Sequence, residues 1–408
     1  MYPSEKQTPH PDPFVEVFKL NHPIPICESA SPVSSYRWHS MSDKEFDAYK
    51  NRLEHEVYEQ MANAEEKEGT HFSIAIAHHT FLNPLVMRNV LERRANEGKP
   101  ETKLVCFVHG TALKMYVHER NQENPEEFPL RFTPMIHESK VFEGHKYGVQ
   151  LCYAISDQQI GAFLDIFPAF PKENVVISPN GINQLVFHPI ESATIDNTLS
   201  KFEDMIIPCN NRMPKTIDTS NIDQVVIMVS KFADWKRIPA LLYAAESYEK
   251  DFPNVATVIA GTGPVKAQEE LHDLAFNTLG LERCFFIGPQ SQSVLAELYS
   301  IASIGVFPSY KEPFGMVFVE ALGCGTPVIG ANSGGPKDFV TDSVGHLVEE
   351  TDDIHELASR VDSQIRNAIK EDWKAARGQA CKDLVEEKYS VKKQCTELLA
   401  FTRNHLLI

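Results

Sequence analysis

The feature that most constrains this chain is an alternation. Short apolar runs of strand length are separated by segments long enough for a helix. In the first half the runs are Ser73–Ala77, Leu104–Val108, Leu151–Ile155 and Val175–Ser178. In the second they are Gln224–Val229, Ala256–Ala260, Cys284–Ile287, Ile304–Phe307 and Thr326–Ile329. Parallel neighbours need a crossover between them, so strand–helix–strand alternation predicts parallel sheets covered by helices. Between the two sets lies a polar stretch, Glu191 to Asp223, with Pro208, Asn210, Asn211 and Pro214 and little periodicity. A chain of 408 residues is also too long for one ordinary domain. The expectation is an α/β protein of two doubly wound domains with a cleft between them. We place them at residues 1–205 and 223–385, with a linker over 206–222 and a terminal helical segment over 386–408. In such sheets ligands bind beyond the carboxyl ends of the strands.

The ends are read in the same way. Ser42-Asp-Lys-Glu45 is a capping box opening a long helix, whose apolar face is Phe46, Tyr49, Leu53, Val57 and Met61. Ser390 to His405 reads as a helix with Val391, Cys395, Leu398, Leu399 and Phe401 as its apolar stripe. Val15 to Leu20 has the composition of a strand.

Composition narrows the function classes. A net charge of −17 is wrong for a nucleic-acid binder, which must neutralise phosphates. It also disfavours docking on anionic membranes. No apolar run is long enough to span a bilayer, and the N-terminus lacks a basic-then-apolar secretory pattern. The eight cysteines are scattered without C-x-x-C spacing, and Cys106, Cys152 and Cys284 fall in strand-like runs that suit buried thiols. A reducing, cytoplasmic setting follows.

The chemistry concentrates after the run ending at Phe307. Tyr310-Lys-Glu-Pro-Phe-Gly-Met-Val-Phe-Val-Glu320 places two carboxylates, Glu312 and Glu320, eight positions apart. Glu312 falls in the loop and Glu320 on the helix expected over Phe314 to Leu322. The amides of Phe314, Gly315 and Met316 are expected at that helix's N-terminus, a ready site for anionic or hydroxyl oxygens. Gly315 leaves room for a ligand.

This stretch, continued through Gly330, resembles the Glu-x7-Glu signature of retaining glycosyltransferases with the GT-B fold of two Rossmann-like domains. It is similar above all to the group 1 family (glycosyltransferase family 4) that holds sucrose-phosphate synthase and bacterial mannosyl- and glucosaminyltransferases. The resemblance implies a nucleotide-sugar-binding second domain and an acceptor-side first domain, on which the terminal helix packs back. It implies that Glu312 accepts hydrogen bonds from donor-sugar hydroxyls and that Glu320 holds the ribose. Val226-Ile-Met-Val-Ser-Lys231-Phe-Ala-Asp-Trp-Lys236 resembles the segment whose Arg and Lys bind the donor phosphates in relatives. Here Ser230 stands where Gly is usual and Lys231 where Arg is usual. Lysine binds phosphate but lacks the guanidinium's planar fork.

The same resemblance puts Gly261 and Gly263 near the nucleotide and Gly288 to Gln290 near the base. Asn332-Ser-Gly334-Gly335 allows main-chain amides to approach an oxyanion, or is a tight turn alone. His109, at the end of the second strand-like run, is assigned to the transfer site. His78 and His79 are assigned to the cleft wall or acceptor side; a metal would need a third ligand that the spacing does not supply. Asn180-Gly181 is a turn with a structural job.

The implied activity is transfer of a hexose, UDP-glucose being the favoured donor, to an acceptor with retention of configuration. No metal or other cofactor is expected. Lys231 and Lys236 would stabilise the leaving diphosphate. Relatives carry a glycine-rich loop after their first strand, whereas the first glycine of this chain is Gly69. The first domain is therefore expected to be shortened at its N-terminus. That departure keeps open a nucleotide-sugar-binding pseudoenzyme, alongside a sugar-nucleotide epimerase of the same fold.

Overall fold

A computed structural model of the chain describes residues 41–110, 112–113, 116–117, 132–202 and 219–406. The strand expected at Val15 to Leu20, Cys27, Cys209 and most of the 206–222 linker lie outside the described residues. The chain divides into two compact units, one of residues 1–154 and 161–176, the other of 155–160 and 177–408.

The first unit is built on a four-stranded sheet in the order β1 (Ile74–His78), β2 (Lys103–Val108), β3 (Val149–Ala154), β4 (Val175–Ile177). Strands β1, β2 and β3 run parallel, with His78 opposite Phe107 and Phe107 opposite Tyr153. Val105, Cys106 and Val108 are fully buried, as a central parallel strand requires. The helix Leu82–Asn96 packs Leu85, Val86, Val90 and Leu91 inward. The helix Asp43–Glu68 begins at the expected capping box, with Ser42 and Glu45 satisfying each other's backbone amides. Gly69 ends it in the left-handed conformation, φ 62°.

The second unit holds a six-stranded parallel sheet. Its strands are β5 (Gln224–Lys231), β6 (Val255–Thr262), β7 (Cys284–Phe286), β8 (Ile304–Phe307), β9 (Val328–Ala331) and β10 (Gly345–Val348), in the order β10-β9-β8-β5-β6-β7. Each of the nine expected strand positions from residue 73 onward carries a strand. β10 was not foreseen, because a four-residue edge strand containing Gly345 and His346 has no apolar run to announce it. Strand order reverses direction between β5 and β8. This is the topological switch point, where a crevice opens beyond the strand ends. One continuous core, including Val226, Ile227, Met228, Val258, Ile259 and Val306, lies beneath it.

Two details differ from the sequence expectations. The helix after β8 begins at Met316, not Phe314, since Gly315 is its N-cap at φ 98°. The terminal helix, Val391–Leu406, exposes Val391, Leu399 and Phe401 of its expected apolar stripe, and its buried residue is Thr402.

Candidate active site

The loops that follow β5, β8 and β9 meet at the switch point and are stitched together. Lys236 Nζ donates to Glu312 Oε2 at 2.6 Å, and both side chains are largely buried. The Tyr310 amide donates to Trp235 O at 2.7 Å, tying the same two loops along the backbone. The third loop joins through the Gly335 amide, 2.7 Å from Glu312 O, and through Ser333 Oγ, 2.9 Å from the Lys311 amide. Two residues take left-handed backbone conformations here, Arg237 at φ 52° and Lys311 at φ 45°. Non-glycine residues in that region are strained and persist only where the surroundings over-determine them. Arg237 is held by Glu350 and, at 3.6 Å, Asp352, with its guanidinium 5.0 Å from the Tyr310 ring centre.

The helix Met316–Gly323 points its N-terminus into this region. Its hydrogen-bond ladder starts when the Phe318 amide donates to Gly315 O, so the Met316 and Val317 amides lie ahead of it. Met316 of the expected Phe314–Met316 set is thus a first-turn helix amide, and Val317 joins it. The Phe314 side chain is spent in the core against Phe339 and Tyr389. Glu320 follows on the same helix, half-buried, with the Tyr299 hydroxyl donating to its Oε2 at 3.4 Å. Burial pushes the Glu320 carboxyl up to about 7, against the smaller pull of that hydrogen bond. A carboxylate so poised can take or release a proton near neutrality.

Glycines allow the loops to come this close. Gly334 sits at φ 82°, and a Cβ there would overlap Glu312 O and lie 2.7 Å from Glu312 N. Gly261, at φ 149°, leaves no room for a Cβ against Ser230, where β5 and β6 run side by side. Its amide donates to Gly288 O at 2.9 Å, which brings the two expected nucleotide loops together. Gly263 backs onto Phe232, and Gln290 turns its side chain to Ile287 O at 2.5 Å. Lys231 ends β5, partly buried, with Ser230 Oγ donating to its carbonyl at 2.8 Å.

In the first unit, His78, His79 and His109 gather at the carboxyl ends of β1 and β2. His78 Nδ1 is 3.0 Å from His109 Nε2. His109 thus stands beside His78 and His79 at these strand ends. Two of the three bind each other, and among the described residues no group of three or more His, Cys, Asp or Glu side chains is arranged to hold a metal ion.

Four supporting residues were not singled out from sequence. Trp235 lies under the Lys236 ammonium, 4.0 Å from its ring centre. Arg237, Tyr299 and Ser333 brace the loops as described above. A positive φ and a partner dozens of residues away leave no local signal.

The architecture and the switch-point site define the fold as GT-B, with Rossmann-like units. It is similar to sucrose-phosphate synthase from Thermosynechococcus elongatus, with a TM-score of 0.60 at 18% identity over 93% of this chain and 82% of that one. It is also similar to Anabaena HepE in complex with UDP, at 0.59 and 19% over 87% and 82%. A family model for group 1 glycosyl transferases matches residues 212–380. The D-inositol 3-phosphate glycosyltransferase of Mycobacterium sp. (strain KMS) is 37% identical over 146 residues, 35% of this chain and 32% of that one. The Mycolicibacterium smegmatis protein of the same name is 33% identical over 162 residues, 39% and 36%. The matched stretch spans about a third of these curated relatives. Among the described residues no helix is long and apolar enough to cross a membrane.

Proposed function

We propose that the protein transfers a hexose from a nucleoside-diphosphate sugar to an acceptor hydroxyl with retention of anomeric configuration. The observation that carries this is the Lys236–Glu312 pair at the switch point, with Glu320 on the adjoining helix. A cation and a carboxylate side by side suit a ligand that offers phosphate oxygens next to sugar hydroxyls. Lys236, with Lys231 from the end of β5, takes up the charge that develops on the leaving diphosphate. Glu312 accepts hydrogen bonds from the sugar hydroxyls, and the Met316 and Val317 amides donate to phosphate or sugar oxygens. Glu320 accepts from the ribose, and the Gly261–Gly263 and Gly288–Gln290 turns border the nucleoside. His109 lines the point of transfer. No side chain is assigned as a covalent nucleophile; the acceptor attacks the face the diphosphate leaves, and the diphosphate takes its proton. The lysines carry the charge without a metal ion in this scheme. UDP-glucose is the preferred donor, in keeping with HepE structures that hold UDP and UDP-glucose.

Thermal unfolding with UDP, GDP, ADP, UDP-glucose, UDP-N-acetylglucosamine and GDP-mannose tests the donor. A ligand at 100 times its dissociation constant adds about 2.7 kcal/mol of stability. A shift selective for uridine nucleotides and absent in Lys236→Ala is expected. No shift with any of them overturns the assignment. The anomeric configuration of the product, read by NMR, tests retention.

A further inference from the structure

The geometry points to His78 as a positioning residue that sets which nitrogen of His109 carries its proton. The inference rests on the proposed placement of His109 at the transfer site. His78 ends β1 opposite Phe107, and Phe107 is opposite Tyr153 on β3. The rings follow that register: His78 stacks on Phe107 at 5.0 Å and 10°, and Phe107 meets Tyr153 at 5.3 Å. His109 lies two residues beyond Phe107, which brings its ring beside His78 at 5.3 Å. His79 closes the other side, its ring 4.6 Å from His109, and its backbone takes the left-handed region at φ 66° to reach there. Strain of this kind is kept where surrounding contacts demand it.

The contact between His78 Nδ1 and His109 Nε2, at 3.0 Å, needs one donor and one acceptor. Burial, and then the neighbouring His79 and His78, push His109 down to about 4. Burial likewise lowers His78 and His79. All three imidazoles are therefore neutral at pH 7, each with a single ring N–H. Whichever ring donates, the two tautomers are locked together. The remaining nitrogen of His109 is then a donor or an acceptor according to the tautomer of His78, and that is the character it offers the sugar. The stack on Phe107 holds His78 in place for this, and the Asn83 side-chain amide anchors the His78 carbonyl at 2.9 Å.

The test is nitrogen-15 NMR of histidine-labelled full chain near pH 7, with H78F and H78Q beside the natural protein. H78F keeps a ring against Phe107 and removes the nitrogen; H78Q restores a donor and an acceptor. His109 is expected in one neutral tautomer in the natural protein, averaged between two in H78F, and fixed again in H78Q. Release of UDP from UDP-glucose should fall about tenfold in H78F with KM unchanged, the scale of one lost hydrogen bond, and recover in part in H78Q. Thermal melting of each variant checks that it folds, and H78A carries the same comparison should H78F fail. A single unchanged His109 tautomer in H78F overturns the inference. If H109A leaves UDP release untouched, the placement of His109 at the transfer site fails, while the tautomer result stands independently.

Discussion

Lys236 Nζ donates to Glu312 Oε2 across 2.6 Å, so the proposed phosphate cation and the proposed sugar acceptor are each other's partner before any ligand arrives. The pair bridges residues 76 apart in sequence and joins the loops after β5 and β8. A donor must compete with it, and the cation cannot be removed without leaving a largely buried carboxylate behind.

Lys236→Ala should therefore cost stability as well as activity. Breaking one side of a buried pair costs about 3 kcal/mol, whereas replacing both sides with apolar groups costs far less. Chemical denaturation of Lys236→Met, Glu312→Leu and the double variant measures this. The double variant should lie well above the sum of the singles, while turnover of sugar nucleotide should be down by about a hundredfold or more in all three.

If Glu320 holds the ribose as proposed, nucleotide binding should be sensitive to pH. Burial raises its carboxyl to about 7, and the ionised form is the better acceptor for two hydroxyls. The affinity for UDP should weaken as pH falls through about 7, by up to tenfold per unit, and Glu320→Gln should flatten the profile in calorimetry. The raised value also has a stability consequence. The unfolded carboxyl ionises near its ordinary value of 4.5, so the fold holds the proton more tightly. Stability without ligand is lost as pH rises between these values, and Glu320→Gln should recover on the order of 2 kcal/mol at pH 8.

Gly334→Ala tests whether the glycine turn seats Glu312. A Cβ at φ 82° is strained and collides with the Glu312 backbone. A loss of roughly 1–3 kcal/mol is expected. Weaker UDP-glucose binding should accompany it, with UDP binding less affected because Glu320 is untouched.

Lys374 shows how the helix bearing Glu320 is anchored from behind. Its buried ammonium donates to Thr326 Oγ1 at 2.6 Å and to the carbonyls of Tyr299 at 3.3 Å and Cys324 at 3.5 Å. It thus serves the C-terminal ends of the helices Gln292–Ile301 and Met316–Gly323. Burial lowers Lys374 to about 8 from an ordinary 10.5. The unfolded chain binds the extra proton between those values, so stability should rise as pH goes from about 8 to about 10.5. Lys374→Met should remove that rise in pH-dependent denaturation; Tyr299 O keeps the Thr326 hydroxyl and the Ala302 amide as donors, while Cys324 O loses the ammonium.

The strands were legible because their signal is local. Val226 to Val229 or Ile304 to Phe307 is apolar on both faces, and nothing but a buried parallel strand uses such a short run between helices. β10 escaped notice because Gly345 and His346 interrupt it. Glu312, Glu320, Lys231 and Lys236 stood out through the company they keep in sequence, but their mutual geometry did not.

By itself the sequence determined the α/β class, the two sets of strands and the capping box at Ser42, since these depend on the period and chemistry of neighbouring residues. Only the tertiary structure decided that β5 lies beside β8, which brings Lys236 to Glu312 and sets the crevice at that seam. Only it placed Tyr299 against Glu320 and His78 against His109. Those pairings depend on strand order and register, which arise when separate runs compete for the same core, and no window along the chain contains them.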